Sequence, residues 1–289
     1  MDLTTYLEER RKLIDQTLDA LLPGADERPE TLHAEMRHSV FAGGKRLRPI
    51  LCLAAADACG AEDVEPILPV ASALELLHTY TLIHDDLPCM DDDDFRRGKP
   101  TCHKVYGEGI AVLAGDALQA LAFEICGDQP EGGAYAKELG VTSGSRHLVG
   151  GQILDLEGET KQLTLEELRF VHLSKTAALL TSSVRFGGLR AGADADQLQA
   201  LTDFGQASGL AFQIIDDILD VTQTSEQLGK SAGKDEASDK STYPALLGLE
   251  ASKEEAHRLT TEAHRSLEIF GERGEALEAL ATYLLDRDY

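Results

Sequence analysis

The stretch Leu210–Asp220 constrains this chain most. Leu210, Ala211, Phe212, Ile214, Ile215, Ile218 and Leu219 make a helix that is apolar on nearly every side, yet Gln213, Asp216 and Asp220 interrupt it. Asp216 and Asp220 are four residues apart and share a face, with Gln213 on the same side. A polar stripe inside an apolar helix costs free energy unless its charges are paired or bound to a cation. Such a helix fits inside a bundle of helices that supplies both cover and counter-charge. The competing reading is an outward-facing polar stripe.

The rest of the chain is also helical in character. Ala, Leu, Glu and Gln are frequent, Trp is absent, and no alternation of β-branched and polar residues is long enough for a sheet. Helices are expected over about 3–20, 30–42, 47–59, 66–86, 109–126, 131–148, 164–187, 195–222, 241–248, 251–270 and 274–286. Pro66 fits a first helical turn. Thr164 with Glu167 makes a capping box, and Gly60, Gly187-Gly188 and Gly271 are stops. Segment 88–108 is expected to be a structured loop and 223–240 a mobile one. No linker or fixed-period repeat divides the 289 residues, so one all-helical domain over 1–289 is the economical reading.

Charge narrows the function classes. The chain has 27 Lys and Arg against 51 Asp and Glu, a net charge of −24. That field repels phosphate backbones and anionic lipid, which argues against nucleic-acid partners and membrane surfaces. An anionic substrate would need local basic groups or metal ions. The five cysteines form no CxxC, and Cys52 and Cys59 are too far apart on a helix to bridge. This reads as a reducing, cytoplasmic setting. No signal peptide is expected at Met1–Thr4, and no apolar stretch is expected to span a bilayer.

A second acidic cluster lies at Asp85, Asp86, Asp91, Asp92, Asp93 and Asp94, beside the apolar helix end Leu76–Ile83. A solvated acidic turn is one reading. Clustered carboxylates also suit Mg²⁺. On an unbroken helix Asp85 would share a face with Asp92, but Pro88 interrupts it, so spacing leaves Asp91 and Asp92 both open. Basic groups then recur at Lys45, Arg46 and Arg48, at Arg96-Arg97, and at Lys175, Lys230 and Lys240. With two carboxylate clusters they fit a diphosphate site, metal bridging acid to phosphate and Lys and Arg neutralising the remainder. His78, seven residues before Asp85, faces the same way.

Asp85-Asp86-Leu87-Pro88-Cys89-Met90-Asp91 with Arg96-Arg97-Gly98-Lys99-Pro100-Thr101 resembles the first Asp-rich motif of trans-polyprenyl diphosphate synthases. Asp216-Asp217-Ile218-Leu219-Asp220 resembles the second. Gly43–Pro49, Gly115–Leu118, Gly150-Gly151-Gln152, Lys175-Thr176, Gly229-Lys230 and Lys240–Pro244 match in the same order. The resemblance runs from about residue 30 to 250 and is nearest to the bacterial farnesyl diphosphate synthase type.

The resemblance implies an all-α, single-domain bundle around a deep central cavity, the isoprenoid synthase type, assembled as a homodimer. It implies about three Mg²⁺, held by Asp85, Asp86 and Asp91 and by Asp216, with Asp217 and Asp220 in support. It also implies allylic diphosphate on Arg96, Lys175, Lys230 and Lys240. Isopentenyl diphosphate falls to Lys45, Arg48, His78 and Arg97, and the reacting carbons lie beside Thr176 and Gln213. The expected reaction ionises the allylic C–O bond, joins the cation to the isopentenyl double bond and loses a proton.

A class I terpene cyclase would lack the second diphosphate site and usually carries a different second motif. A non-catalytic subunit or acidic binding protein would have no use for both acidic motifs and the three lysines. For chain length, the resemblance places the cavity floor beside the helix before Asp85. An ideal helix sets Thr81 about 40° from Asp85 and Tyr80 about 140° from it, with Tyr80 about 7–8 Å deeper. Tyr80 is the bulky member and the resemblance places the aromatic floor at its position. Farnesyl diphosphate, C15, is therefore expected, with geranylgeranyl diphosphate, C20, as the alternative. Related synthases often end in a basic tail, whereas this chain ends Asp286-Arg287-Asp288-Tyr289.

Overall fold

The structure, a computed structural model, describes residues 1–158, 160–222 and 241–285. Their regular elements are helices apart from one hairpin of two two-residue strands, so the all-α expectation holds. They cluster into two compact units. The N-terminal unit is Asp2–Leu53 with Glu62–Lys137, and the C-terminal unit is Met1, Ala54–Ala61 and Glu138–Tyr289.

The N-terminal unit contains α1 (Leu3–Leu21), α2 (Glu30–Val40) and the first part of α3 (Leu47–Ala58). It continues with α4 (Leu68–Asp85), strands β1 (Phe95–Arg96) and β2 (Lys99–Pro100), α5 (Cys102–Tyr106) and α6 (Glu108–Gly127). Helix α4 is buried along most of its length, and α6 lies against it. The two helices approach closely because α6 has Gly115 where they meet. A Cβ there would stand 2.6 Å from His84 Cδ2. Helix α6 is long and apolar enough to cross a bilayer, which the sequence reading did not anticipate. Its apolar character has a local cause: Ala111, Ala114, Leu118, Ala122 and Ile125 are buried against its neighbours α4, α2 and α5. Pro69, rather than Pro66, occupies the first turn of α4.

The C-terminal unit holds the second half of α7 (Gly132–Ser143), then α8 (Leu148–Gly158), α9 (Leu165–Val171), a π-helical turn (His172–Ala177), α10 (Ala178–Arg190) and α11 (Ala195–Thr222). It ends with α12 (Tyr243–Leu247), α13 (Leu249–Ser266), a 3₁₀ segment (Glu268–Gly274) and α14 (Glu275–Leu285). Helix α11 packs on α10 and α13. Its residues Ile214, Ile215, Ile218 and Leu219 are buried, as its composition requires. The capping box forms as expected: Thr164 Oγ1 accepts from the Glu167 amide and Glu167 Oε2 from the Thr164 amide.

Several expected boundaries move. The helix expected over 131–148 ends at Ser143, and α8 follows as a separate helix. Gly187 and Gly188 do not stop α10, which runs to Arg190 and turns at Gly192 with φ 74. Gly188 is in the helix for space: a Cβ there would stand 2.6 Å from Leu201 Cδ1. Gly60, with φ 91, does follow the end of α3. Gly271, with φ 53, kinks the 3₁₀ segment, while α13 itself ends earlier, at Ser266. The five cysteines are free. The loop expectation for 223–240 and the C-terminal Asp286–Tyr289 lie outside the described residues.

One buried charge pair fixes the entry to α3. Arg46 is 4 % exposed, and its guanidinium donates to Asp15 Oδ1 (2.8 Å), Glu75 Oε1 (3.0 Å) and the Val40 carbonyl (2.7 Å). Breaking a buried pair leaves an uncompensated charge, at a cost of about 3–5 kcal/mol. Arg46→Ala should lose stability in that range, read as a lower urea midpoint with the slope unchanged. A loss below about 1 kcal/mol would show that the pair is not a structural anchor.

Candidate functional site

In the N-terminal unit the residues just before and after Arg46 enclose an open cavity of ≈ 630 Å³. Its wall comprises Ala42–Arg48, Glu75, His78 and Arg97. Sequence reasoning named Lys45, Arg48, His78 and Arg97 as one group, and the structure gathers them here. Glu75 is neutralised by Arg46, so the field inside is positive. Arg48 Nε is buried without a hydrogen-bond partner. Burial lowers its pKa to about 10, despite Glu75 nearby, so it stays cationic at neutral pH. Burial, reinforced by Arg48 and Arg97, holds His78 well below the usual histidine range. It is therefore a neutral polar lining group. Three cations with a neutral imidazole suit a compact polyanion such as diphosphate.

The acidic motif begins seven residues beyond His78, two turns further along α4. Its chain folds back so that the Asp91 amide donates to the Asp85 carbonyl at 2.8 Å. The Met90 and Asp92 amides donate to Leu87. The backbone thus returns Asp91 to Asp85, while Asp92 takes a left-handed φ of 50°. The turn brings the Asp91 backbone, not that of Asp92, onto Asp85.

Asp86 has a different partner. Its carboxylate is 4 % exposed. Arg96 Nε donates to both its oxygens at 2.9 Å and Nη2 to Oδ1 at 2.6 Å. Desolvation raises the Asp86 pKa and Arg96 opposes that. Asp86 and Arg96, assigned from sequence to metal and to allylic diphosphate, are here bound to each other.

Tyr80 is buried with its hydroxyl unpartnered, and its ring meets His84 edge-on at 5.7 Å. His84 Nε2 contacts the Val112 carbonyl of α6 at 3.1 Å. Tyr80 therefore sits on the His84 side of α4, toward α6. Thr81 is half-buried and donates its hydroxyl to the His78 carbonyl at 2.8 Å.

The C-terminal unit carries the other group. Lys175 and Thr176 lie in the π-helical turn, and Lys175 Nζ donates to Asp155 Oδ2 at 2.7 Å. Turns of this kind recur at functional sites because the extra residue re-aims side chains. Helix α8 comes close enough for the pair because Gly151 has no side chain: a Cβ would lie 3.0 Å from the Lys175 amide nitrogen. Sequence reasoning missed Asp155. Its only signal was a place three residues past Gln152, in a helix that had not been expected.

On α11, Asp217 Oδ2 accepts from the Tyr243 amide at 2.9 Å, which ties α12 to this helix. Asp216 and Gln213 are half-buried. Asp220 is 6 % exposed, and its Oδ2 has no hydrogen-bond partner. An orphaned carboxylate oxygen in such a place calls for a cation, and an all-oxygen donor set suits Mg²⁺. The residues therefore fit the metal. Lys230 and Lys240 lie outside the described residues.

A family model described as polyprenyl synthetase matches residues 29–279. A geranylgeranyl pyrophosphate synthase of Capsicum annuum is 48 % identical over 98 % of this chain and 78 % of its own length. The large subunit 1 of a heterodimeric geranylgeranyl pyrophosphate synthase of Arabidopsis thaliana is 45 % identical, over 99 % and 80 %. Among solved structures, an FPP/GFPP synthase of Zymomonas mobilis superposes with a TM-score of 0.86. It is 36 % identical, over 98 % of this chain and 99 % of that one.

Beside Asp217, at 3.5 Å, His172 is 5 % exposed and neither ring nitrogen has a hydrogen-bond partner. Burial depresses its pKa from 6.5 to about 4, Asp155 opposing. The unfolded chain takes up this proton near pH 6.5 and the folded chain only near 4. Its contribution is thus complete above about pH 6.5 and is lost as pH falls toward 4. Between pH 7.5 and 5 the loss is about 2 kcal/mol. His172→Asn should remove that share of the acid destabilisation, measured as the difference in unfolding free energy between the two pH values. An unchanged difference would mean that His172 is not buried neutral.

Proposed function

The chain belongs to the polyprenyl synthetase family of prenyl chain-elongating transferases, and from that premise we propose that it adds isopentenyl diphosphate to an allylic diphosphate. The observation that carries this reading is the basic cavity of Lys45, Arg48, His78 and Arg97, a polyanion site in a chain of net charge −24. In this proposal that cavity holds isopentenyl diphosphate by its charged end. Asp85 and Asp91, and Asp216 with Asp220, are the ligands of about three Mg²⁺. When bound, the metal supplies positive charge to the leaving diphosphate as the allylic C–O bond breaks.

The chain's own residues do the remainder. Lys175, set by Asp155, neutralises the allylic diphosphate, and Arg96, Lys230 and Lys240 are assigned to the same anion. Thr176 and Gln213 present oxygen dipoles to the allylic cation. The isopentenyl double bond attacks that cation, and the departing diphosphate takes the proton. The product is one five-carbon unit longer. Asp217 and Asp86 support these groups through Tyr243 and Arg96. We further propose one functional domain over both units, a homodimer and a cytoplasmic setting. The continuous family match supports the first, and the unpaired cysteines support the last.

For product length, the names of the Capsicum and Arabidopsis relatives favour geranylgeranyl diphosphate, C20. That is the reading taken here. One structural observation favours farnesyl diphosphate, C15: the buried Tyr80 ring beside α6, deeper along α4 than Asp85.

Two measurements test these readings. Asp85→Ala and Asp216→Ala should each cut incorporation of labelled isopentenyl diphosphate by about 10²–10³-fold, as loss of one stabilising contact to developing charge does. Near-full rates at saturating Mg²⁺ in either would refute its assignment. Dephosphorylated products sized by chromatography decide length. A C20 product from the wild type establishes the first reading. A C15 product that lengthens to C20 or beyond in Tyr80→Ala establishes the second, with Tyr80 as the floor.

A further inference from the structure

The basic cavity has one lining group whose charge is not fixed. Lys45, Arg48 and Arg97 are cations already, and Glu75 is paired with Arg46 at 3.0 Å. His78 is the remaining titratable group of the wall. It stands on α4, three residues after Glu75. In the empty cavity its imidazole is pressed toward the neutral form. Burial acts first, then Arg48 of α3, Arg97 and Arg96 of the hairpin, and Arg46 of the loop before α3.

Most of those pressures reverse when an anion enters. A diphosphate ester brings about two to three negative charges into the cavity. It neutralises Arg48 and Arg97, and its oxygens accept from an imidazolium N–H as readily as from a guanidinium. Burial still opposes the proton. An opposite charge within about 4–6 Å favours the charged form by about ten- to a thousandfold, and the anion supplies more than one such charge.

We propose that His78 takes up a proton from solvent when the cavity binds isopentenyl diphosphate, so that a neutral wall group becomes a fourth cation only around its anion. This rests on the reading of the cavity as the isopentenyl diphosphate site. The empty cavity is thereby spared the repulsion that a fixed lysine or arginine at position 78 would add. Because the filled site holds more protons than the empty one, this coupling strengthens binding as the pH falls. The ester's own terminal phosphate, which gains a proton near pH 6, acts in the opposite sense and equally on every variant.

The test is calorimetric titration of the purified full chain with isopentenyl diphosphate at pH 7, with a chelator and no divalent metal. Two buffers of different ionisation enthalpy are used, and the dependence of the heat on buffer counts the protons exchanged. The wild type should take up at least about half a proton more than His78→Gln or His78→Asn, which keep a polar group without titrating. In protein labelled with ¹³C-histidine, the resonance that these variants lack should move to the imidazolium position as the ester is added. An equal proton count in wild type and variants, or a resonance that stays at the neutral position, would overturn the proposal and leave the cavity assignment standing. Undiminished binding in Lys45→Ala with Arg48→Ala, or no binding by the wild type, would overturn both.

Discussion

The ion pair between Arg46 and Glu75 decides what the basic cavity can be. Four basic residues, from the loop before α3, the start of α3 and the β1–β2 turn, meet one acid of α4 here. Had all four cations faced the cavity they would have repelled one another, and Glu75 would have repelled the anion. Arg46 instead turns inward at a positive φ and is consumed by Glu75, Asp15 and the Val40 carbonyl. The acid is cancelled, the loop is pinned, and Lys45 and Arg48 are left on the wall of the cavity. Positive charge is thus concentrated locally in a chain whose overall field opposes anions.

The C-terminal unit solves a similar problem with backbone rather than charge. From Leu165 to Arg190 the chain reads as one amphipathic helix, and sequence periodicity cannot show that six of its residues are wound more widely. The π-helical turn inserts a phase shift at Lys175 and Thr176. Gly151 then lets α8 bring Asp155 to the lysine. A lysine held by one carboxylate is ordered without losing its charge, which is what an anion-binding group requires.

Legibility in the sequence followed the kind of cause at work. Helices α4 and α11 were readable because their burial is written in consecutive apolar residues. The return of Asp91 to Asp85 was not readable from spacing, since it depends on amide donors meeting Leu87 and Asp85 across a turn. It came instead from family resemblance. Gly187 and Gly188 misled because a glycine at a helix end and a glycine at a helix contact look alike in one dimension. Asp155 was missed because α8 is short, glycine-bearing and followed by polar residues, so its helical period was not recognised. Helix α6 shows the reverse error: small apolar residues that serve close packing on α4 also pass for a membrane span.

Arg96 and Arg97 show how adjacent identical residues come to different uses. They enter a hairpin in which Arg96 pairs with Lys99, leaving Arg97 and Gly98 as a two-residue turn. Both turn residues have positive φ, 52° and 74°, as a type I′ turn requires. Glycine adopts that conformation freely, but an arginine must be held in it. Here the Arg97 guanidinium donates to the Gly43 carbonyl at the edge of the basic cavity. Arg96, one step earlier in extended backbone, faces Asp86 and binds it bidentately. The tight turn therefore directs one cation to the anion cavity and the other to the acidic motif.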